Sequence, residues 1–221
     1  MLQERLETIM RTLERESAPW GRCPKLIAVT KYSPIEDILP LYELGVRDIA
    51  ENRVQALREK LPALGGKFSI HMIGRLQTNK VKYIINDVCL IHSLDRLPLA
   101  LEIDRQAQTA HRRVPVLLQV NIAKEAQKAG VEEEELMPFL RRCAALPGLR
   151  VKGLMAIMPK GADRETLQGY FQKMRVLLDR CAQENVENTE MTELSMGMSQ
   201  DYDLAARSGA TMVRVGSALF R

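Results

Sequence analysis

Aromatic residues are scarce in this sequence and make up 5% of its 221 positions. The 32 lysines and arginines are scattered among 28 acids and form no basic block. Proteins that bind nucleic acids usually combine a clustered positive charge with aromatic side chains on which bases stack. We therefore expect no nucleic-acid partner.

Several other patterns are missing. The four cysteines include no Cys-x-x-Cys pair, and His71 and His92 have no further histidine at metal-binding spacing, so we interpret them as hydrogen-bonding residues of a core or rim and expect no metal site. No apolar run approaches the roughly 20 residues that span a membrane. Residues 1–7 carry charges from the fourth position, unlike a signal peptide. These absences favour a cytoplasmic protein without membrane association.

Short apolar runs alternate with stretches of helical period through most of the sequence. An amphipathic helix is predicted over residues 2–16, where Leu2, Leu6, Ile9 and Leu13 recur at helical spacing. The acids of residues 132–135 are interpreted as the start of a helix and not as a metal site. Eight strands are predicted, each followed by a helix, over residues 25–30, 46–50, 68–73, 88–92, 114–122, 149–157, 190–195 and 211–215.

Repeated strand and helix units predict parallel strands with right-handed crossovers. Eight such units in 221 residues favour a single (β/α)8 barrel of the TIM type over a doubly wound sheet, with residues 1–221 as one domain. Only six residues follow Val215, which is too few for a full eighth helix. We expect the amino-terminal helix to close the barrel in its place.

Function in a (β/α)8 barrel gathers where the strands end. Lys31 follows the first strand, and we expect partial desolvation there and the charge of Arg214 to lower the pKa of its amine. An ordinary solvated lysine after a strand is the alternative. Arg214 shares a strand face with Gly216 and needs a partner, which is either an acid of the barrel or a ligand.

Two turns rich in small residues end the last two predicted strands. Residues 195–199 form one, and Gly216 with Ser217 forms the other. Backbone amides and hydroxyl groups in such turns suit a phosphate, which barrels often bind after their last strands. Each turn also has a simpler interpretation, because Ser199 could be a helix N-cap with Asp201 in the first turn.

Six segments in the same order resemble the pyridoxal phosphate homeostasis proteins of the YggS/PROSC type. They cover residues 28–31, 51–55, 71–80, 153–157, 194–199 and 213–220. The resemblance implies a barrel like the N-terminal domain of alanine racemase that carries pyridoxal 5′-phosphate (PLP) as a Schiff base on Lys31. It also implies that Ser195, Gly216 and Ser217 hold the phosphate and that Arg214 faces the pyridine nitrogen. Met196, Met198 and Ser199 of the same turn and Asn52 of the rim are implied to line the cofactor.

A cation opposite the pyridine nitrogen disfavours its protonation and weakens the ring as an electron sink. The resemblance therefore implies a non-catalytic protein of intracellular PLP homeostasis with no catalytic residues, which buffers the cofactor or delivers it transiently to apo-enzymes. The second-base domain of the racemases is expected to be missing. The alternatives are a PLP-dependent racemase-like enzyme with Lys31 as its base and an aldolase-like barrel that binds a sugar phosphate. Lys128 is a candidate for the lysine that accepts PLP during transfer, and we expect a monomer.

Overall fold

The computed structural model describes residues 1–64, 66–125 and 127–221. Its eight strands are β1 (Lys25–Val29), β2 (Asp48–Glu51), β3 (Ser69–Met72), β4 (Leu90–Leu94), β5 (Val114–Val120), β6 (Leu149–Ala156), β7 (Thr189–Ser195) and β8 (Met212–Val215). Its α-helices are α1 (Leu2–Ser17), α2 (Ile35–Glu43), α3 (Val54–Leu64), α4 (Leu97–Thr109), α5 (Glu133–Ala144), α6 (Arg164–Gln183), α7 (Tyr202–Arg207) and α8 (Ser217–Phe220).

The strands form one closed barrel in the order β1 to β8, and every neighbouring pair is parallel. β8 pairs with β1, from Lys25 opposite Met212 to Ala28 opposite Val215. The predicted barrel is therefore confirmed, and the doubly wound sheet is wrong. The eight predicted strands are all present, with β2 and β4 beginning two residues later than expected.

The segment after β3 differs from the prediction that each strand is followed by an α-helix. Residues Thr78–Tyr83 there form a 3-10 helix. They are polar or basic apart from Val81 and Tyr83, and Val81 is the buried residue of the segment. With so little apolar surface to bury, a long helix would gain little from packing on the barrel.

The amino-terminal helix occupies the place of a full eighth helix. α8 has four residues, and α1 packs against both α7 and α8. Leu6, Ile9 and Leu13 of α1 are buried, and Glu16 accepts hydrogen bonds from Arg207 at the end of α7. The predicted helix over residues 2–16 and its closing role are both confirmed.

The acidic run that begins α5 pairs with lysines on neighbouring segments. Glu134 lies 2.6 Å from Lys124, and Glu133 lies 2.5 Å from Lys173. Over the described ranges, no group of three or more histidine, cysteine, aspartate or glutamate side chains could hold a metal ion. No helix in that part of the chain is long and apolar enough to cross a membrane.

The buried apolar side chains form two clusters, one inside the barrel and one between the strands and the ring of helices. The interior cluster is Ile27, Val29, Ala50, Leu90, Leu117, Met155 and Met212. Because strand side chains alternate between faces, the residues two positions further along also point inward or toward the mouth. Lys31, Asn52, His92 and Arg214 occupy such positions. The barrel thus directs side chains of distant sequence positions toward one interior.

The packing of α1 generates a stability prediction. Leu13 is 0% exposed, so Leu13→Ala should lower the free energy of unfolding by about 2–5 kcal/mol through lost burial and the cavity left behind. Urea denaturation measures this change. Glu14→Ala, on the exposed side of the same helix, is the control and should change it by about 0.5 kcal/mol or less. Equal effects of the two variants would show that α1 is not part of the core.

Candidate functional site

Lys31 lies two residues beyond the end of β1, at the mouth of the barrel. Its side chain is exposed and its Nζ lies 5.1 Å from the centroid of the Tyr32 ring, which is itself 74% exposed. The expected partial desolvation of this amine is therefore wrong. The strand ends at Val29, and the turn that follows carries Lys31 and Tyr32 out of the apolar interior.

The residue before Lys31 is held by a buried ion pair. Glu51 at the end of β2 is 0% exposed, and its Oε1 accepts hydrogen bonds from Thr30 Oγ1 at 2.7 Å and from Lys60 Nζ at 2.7 Å. Lys60 of α3 also donates to the Thr30 carbonyl at 2.6 Å. These bonds fix the backbone from which Lys31 projects, so the position of this amine depends on β2 and α3.

Arg214 is buried inside the barrel without a carboxylate among its hydrogen-bond partners in the described structure. Its Nη1 donates to Ser195 Oγ at 2.6 Å and its Nη2 donates to the Ala156 carbonyl at 2.7 Å, while 3% of the residue is exposed. Burial lowers the pKa of Arg214 to about 10, although the nearby charge of Asp201 favours the protonated form. The guanidinium remains charged at neutral pH and is bound through neutral acceptors.

A chain of hydrogen bonds continues from Arg214 through the barrel interior. Ser195 Oγ lies 2.8 Å from His92 Nδ1, His92 Nε2 lies 2.9 Å from His71 Nδ1, and His71 Nε2 lies 2.9 Å from Asp48 Oδ1. Lys25, on the neighbouring strand, contacts the same oxygen of Asp48 at 3.2 Å. The chain therefore joins the beginning of β2 to the mouth.

The two ends of this chain fix the direction of its hydrogen bonds. A guanidinium only donates and a carboxylate only accepts. Burial raises the pKa of Asp48, but the hydrogen bond from His71 and the charge of Lys25 outweigh burial and leave the pKa below its ordinary value. Hydrogen bonds can therefore run in one direction along the chain, with each group from Arg214 to Asp48 donating to the next. The interpretation of His71 and His92 as hydrogen-bonding core residues is confirmed.

The two turns predicted to bind phosphate meet in the structure. Ser199 Oγ accepts hydrogen bonds from the amides of Gly216 at 3.1 Å and Ala218 at 3.2 Å. Asp201 precedes α7, and its Oδ1 accepts a hydrogen bond from the Met198 amide at 2.6 Å. The alternative in which Ser199 caps that helix is therefore wrong. The Ser199 hydroxyl oxygen instead accepts hydrogen bonds from two backbone N–H groups that point toward the same place.

The backbone approaches a neighbouring segment closely at two glycines of the rim. A Cβ on Gly216 would lie 3.2 Å from the Val29 carbonyl oxygen, which shows how closely the turn after β8 approaches the end of β1. A Cβ on Gly74 would lie 2.0 Å from the Asn52 carbonyl oxygen. The backbones that carry Lys31, Asn52 and Gly216 are thus packed tightly around one mouth.

The remaining residues that were predicted to contact the cofactor differ in how far their side chains are exposed at the mouth. Ser217 is exposed, and Asn52, Met198 and Ser199 are partly buried at the rim. Met196 is 0% exposed and packs in the layer between barrel and helices, so it offers the mouth only its backbone. The Ser195 hydroxyl is bound to Arg214 and His92, which suits a positioning role, and its predicted contact with phosphate stays a prediction.

Sequence reasoning missed the partners that hold these groups in place. Glu51 enters the sequence analysis only within the segment of residues 51–55, and the sequence predicts neither its pairing with Lys60 nor the bonding of His71 to His92. A histidine at an inward position of each of two neighbouring strands was the available signal, because inward side chains of neighbouring strands lie side by side inside the barrel.

The barrel and its mouth define the class of this protein. The family model described as "Alanine racemase, N-terminal domain" matches residues 3–221. The chain therefore belongs to the alanine racemase N-terminal domain family and, within it, to the pyridoxal phosphate homeostasis proteins.

Relatives that bear this second name match nearly the whole chain. The pyridoxal phosphate homeostasis protein of Aquifex aeolicus is 41% identical over 221 residues, which are 98% of this chain and 96% of that protein. The protein of the same name from Synechocystis is 39% identical over 89% of this chain and 90% of its own length. The predicted family resemblance is confirmed.

Solved structures agree with this assignment. PipY of Synechococcus elongatus, whose structure contains bound PLP, is 34% identical with a TM-score of 0.89, and the match covers 100% of both chains. An alanine racemase of Clostridium difficile has a TM-score of 0.78 at 17% identity, and the match covers 99% of this chain but 55% of the racemase. The second likeness shows the shared fold alone, and this chain spans about half the length of that racemase.

The buried imidazole of His92 generates a prediction on pH dependence. Burial, then the charges of His71 and Arg214, hold the pKa of His92 well below its ordinary value of 6.5. Below pH 6.5 the His92 imidazole binds a proton in the unfolded chain but not in the folded chain. The contribution of His92 to the free energy of unfolding is therefore fully present above this pH and is lost as the pH drops. His92→Asn should reduce this loss by up to about 1.4 kcal/mol per pH unit.

Urea denaturation between pH 7.5 and 5 measures the slope. His111→Asn is the matched control, because His111 is exposed and its positive φ of 51° is one that asparagine tolerates. This variant should keep the slope of the unmodified protein. An unchanged slope in His92→Asn would mean that His92 already accepts a proton in the folded state.

Proposed function

We propose that this chain binds PLP through a Schiff-base linkage to Lys31 and takes part in intracellular PLP homeostasis as a buffer or carrier, without catalysing amino-acid chemistry. The observation that carries the proposal is the buried charge of Arg214. Its hydrogen-bond partners in the described structure are a hydroxyl and a carbonyl and not a carboxylate, which suits a ligand heteroatom that accepts a hydrogen bond.

The same cation argues for binding without catalysis. PLP supplies an electron sink when its pyridine nitrogen is protonated. Arg214 remains charged at neutral pH and only donates hydrogen bonds, so it opposes a proton on a nitrogen placed beside it. The chain from Ser195 to Asp48 keeps this guanidinium in one orientation. Carbanion formation on a bound amino acid would therefore gain little from the cofactor.

The turns after β7 and β8 support binding of the phosphate group. The amides of Gly216 and Ala218 already converge on one oxygen, that of Ser199, at hydrogen-bond distance. A phosphate oxygen has the same acceptor chemistry with added negative charge, and such backbone concavities suit anions. Gly216, Ser217 and Ser199 would hold the phosphate, while Met198, Asn52 and the Met196 backbone would border the ligand.

Lys31 is the proposed attachment point. Its side chain is exposed at the mouth, so a reagent in solution reaches it without opening the barrel. The hydrogen bonds of Thr30 to Glu51 and Lys60 fix the backbone next to Lys31. Reversible attachment at an accessible amine is what a buffer or carrier of an aldehyde requires. The relatives named pyridoxal phosphate homeostasis protein and the PLP bound to PipY support the same proposal.

The covalent site is tested by adding PLP to purified protein, recording the visible absorbance, reducing with borohydride and mapping the labelled peptide. We expect a Schiff-base band and label on Lys31, both lost in Lys31→Ala. Lys67→Ala, which removes another exposed lysine, should retain them. Label spread evenly over surface lysines would refute a specific site.

The absence of catalysis has a separate test. Amino acids incubated with the PLP-loaded protein in deuterium oxide should show no α-proton exchange that depends on Lys31. Exchange that Lys31→Ala abolishes would contradict the non-catalytic part and favour the racemase-like alternative.

Delivery to an apo-enzyme would involve Lys128, which we propose as the transient acceptor of the aldehyde. Its Nζ donates to the Met158 carbonyl at 3.2 Å and pairs with Glu125, so it lies between the loops that follow β5 and β6. These loops belong to the same end of the barrel as Lys31, because all eight strands are parallel. With 29% of its side chain exposed, Lys128 can exchange these partners for a ligand.

Lys128→Ala should slow PLP transfer to an apo-enzyme by about tenfold or more and leave the Lys31 band intact. Lys124→Ala is the control from the same loop, where Lys124 pairs with Glu134. The rate at which activity appears in the recipient enzyme measures the transfer. Normal transfer by Lys128→Ala would end this role for the residue.

A further inference from the structure

A cavity opens beside the mouth, between α3 and the 3-10 helix after β3. Its volume is about 750 Å³. Five cations line it, namely Arg53, Arg58, Arg75, Lys80 and Arg96. None of the described residues of its lining is acidic. The apolar side chains of Val54, Met72 and Leu76 also contribute to the lining and are buried.

Four of these cations, Arg53, Arg58, Arg75 and Lys80, form no salt bridge with any of the described carboxylates. Arg96 is the exception, since it contacts Asp95 at 2.5 Å and donates to the Leu76 carbonyl at 2.7 Å. The Arg58 guanidinium lies 4.9 Å from the centroid of the Tyr83 ring, and Lys80 Nζ lies 5.7 Å from it. An aromatic face attracts these cations but does not neutralise them.

The walls of the cavity are held by tight backbone contacts. Gly74 approaches the Asn52 carbonyl too closely for any side chain, and the Gly74 carbonyl accepts a hydrogen bond from Ser93 Oγ at 2.6 Å. Arg53 and Arg75 directly follow this pair of residues. Two arginines from different loops are thus positioned by one contact, which keeps like charges together despite their repulsion.

We propose that this cavity binds a small phosphate ester whose body is apolar or aromatic. Arginine donors in a concave site suit phosphate oxygens, and the apolar side chains suit the body of the ligand. The volume lies within the range of about 300–1,000 Å³ that is usual for small-molecule sites and exceeds what a free phosphate ion would fill.

This site is separate from the one proposed for PLP. Lys31, Ser199, Arg214 and Gly216 are not among the residues that line the cavity. The inference does not depend on the proposed function, and the two can fail independently. A second molecule of PLP and an unrelated phosphate ester share the chemistry that the cavity would recognise.

Calorimetric titration of the full chain with phenyl phosphate tests the proposal. We expect binding that weakens as salt is added, and that falls by about tenfold or more in the double variant Arg53→Gln/Arg75→Gln. Arg142→Gln/Arg180→Gln is the matched control, because it removes the same charge from exposed positions on α5 and α6. It should bind as the unmodified protein does, and phenol should bind neither variant.

Arginine labelling with phenylglyoxal and peptide mapping locates the ligand. Phenyl phosphate should protect Arg53, Arg58 and Arg75 but not Arg142, and Ser199→Ala should retain this protection. Loss of binding in Ser199→Ala alone, or equal binding by the cavity and control variants, would overturn the proposal. Competition by PLP in the Lys31→Ala background would identify a second PLP molecule as a ligand, whereas competition by adenosine monophosphate alone would identify an unrelated ester. Either result supports the site.

Discussion

The interior of this barrel is organised around a buried positive charge. Burying a guanidinium without acceptors is costly, and the barrel meets this requirement with a serine hydroxyl and a main-chain carbonyl. Ser195 accepts a hydrogen bond from Arg214 and is bonded to His92, which is bonded in turn to His71, and His71 is bonded to Asp48. The carboxylate that ends this chain, Asp48, is four hydrogen bonds away from the cation. The mouth retains a positive charge while every group in the chain is satisfied.

The same arrangement connects the parts of the mouth to one another. β8 carries Arg214 and leads into Gly216, whose close approach to Val29 brings the turn after β8 against β1. β1 leads into Thr30, which is bonded to Glu51 of β2 and to Lys60 of α3. The amine, the buried cation and the amide cradle thus belong to a single set of hydrogen bonds and close contacts. The basic cavity beside them is supported by the contact of Gly74 with Asn52, so both regions share the loop after β2.

The fold was predictable because each strand is a short apolar run, and eight such runs with intervening helical periods favour a closed parallel barrel. The helix over Leu2–Ser17 was visible from its apolar spacing alone. The segment after β3 was not, since a polar stretch that follows a strand does not reveal whether it forms an α-helix or a 3-10 helix.

The residue types of the mouth were also predictable, including Lys31, Ser199 and Arg214. Their partners were not, because the pairing of Glu51 with Lys60 or of His71 with His92 depends on register and side-chain direction across strands. The exposure of Lys31 was misjudged for a related reason, since the residue at which a strand ends determines whether the next side chain faces the interior or the solvent.

The pairing of β1 with β8 has a consequence for how the protein is made. Strand β1 and helix α1 precede nearly all of the barrel, yet their partners β8 and α8 are synthesised after the other seven strands. While the chain emerges from the ribosome, the apolar side of α1 and one edge of β1 remain without their final neighbours, and such surfaces are prone to aggregation. The barrel closes only after translation has reached the end of β8. We therefore expect the time between synthesis of α1 and synthesis of α8 to be the period in which this protein most needs protection by chaperones.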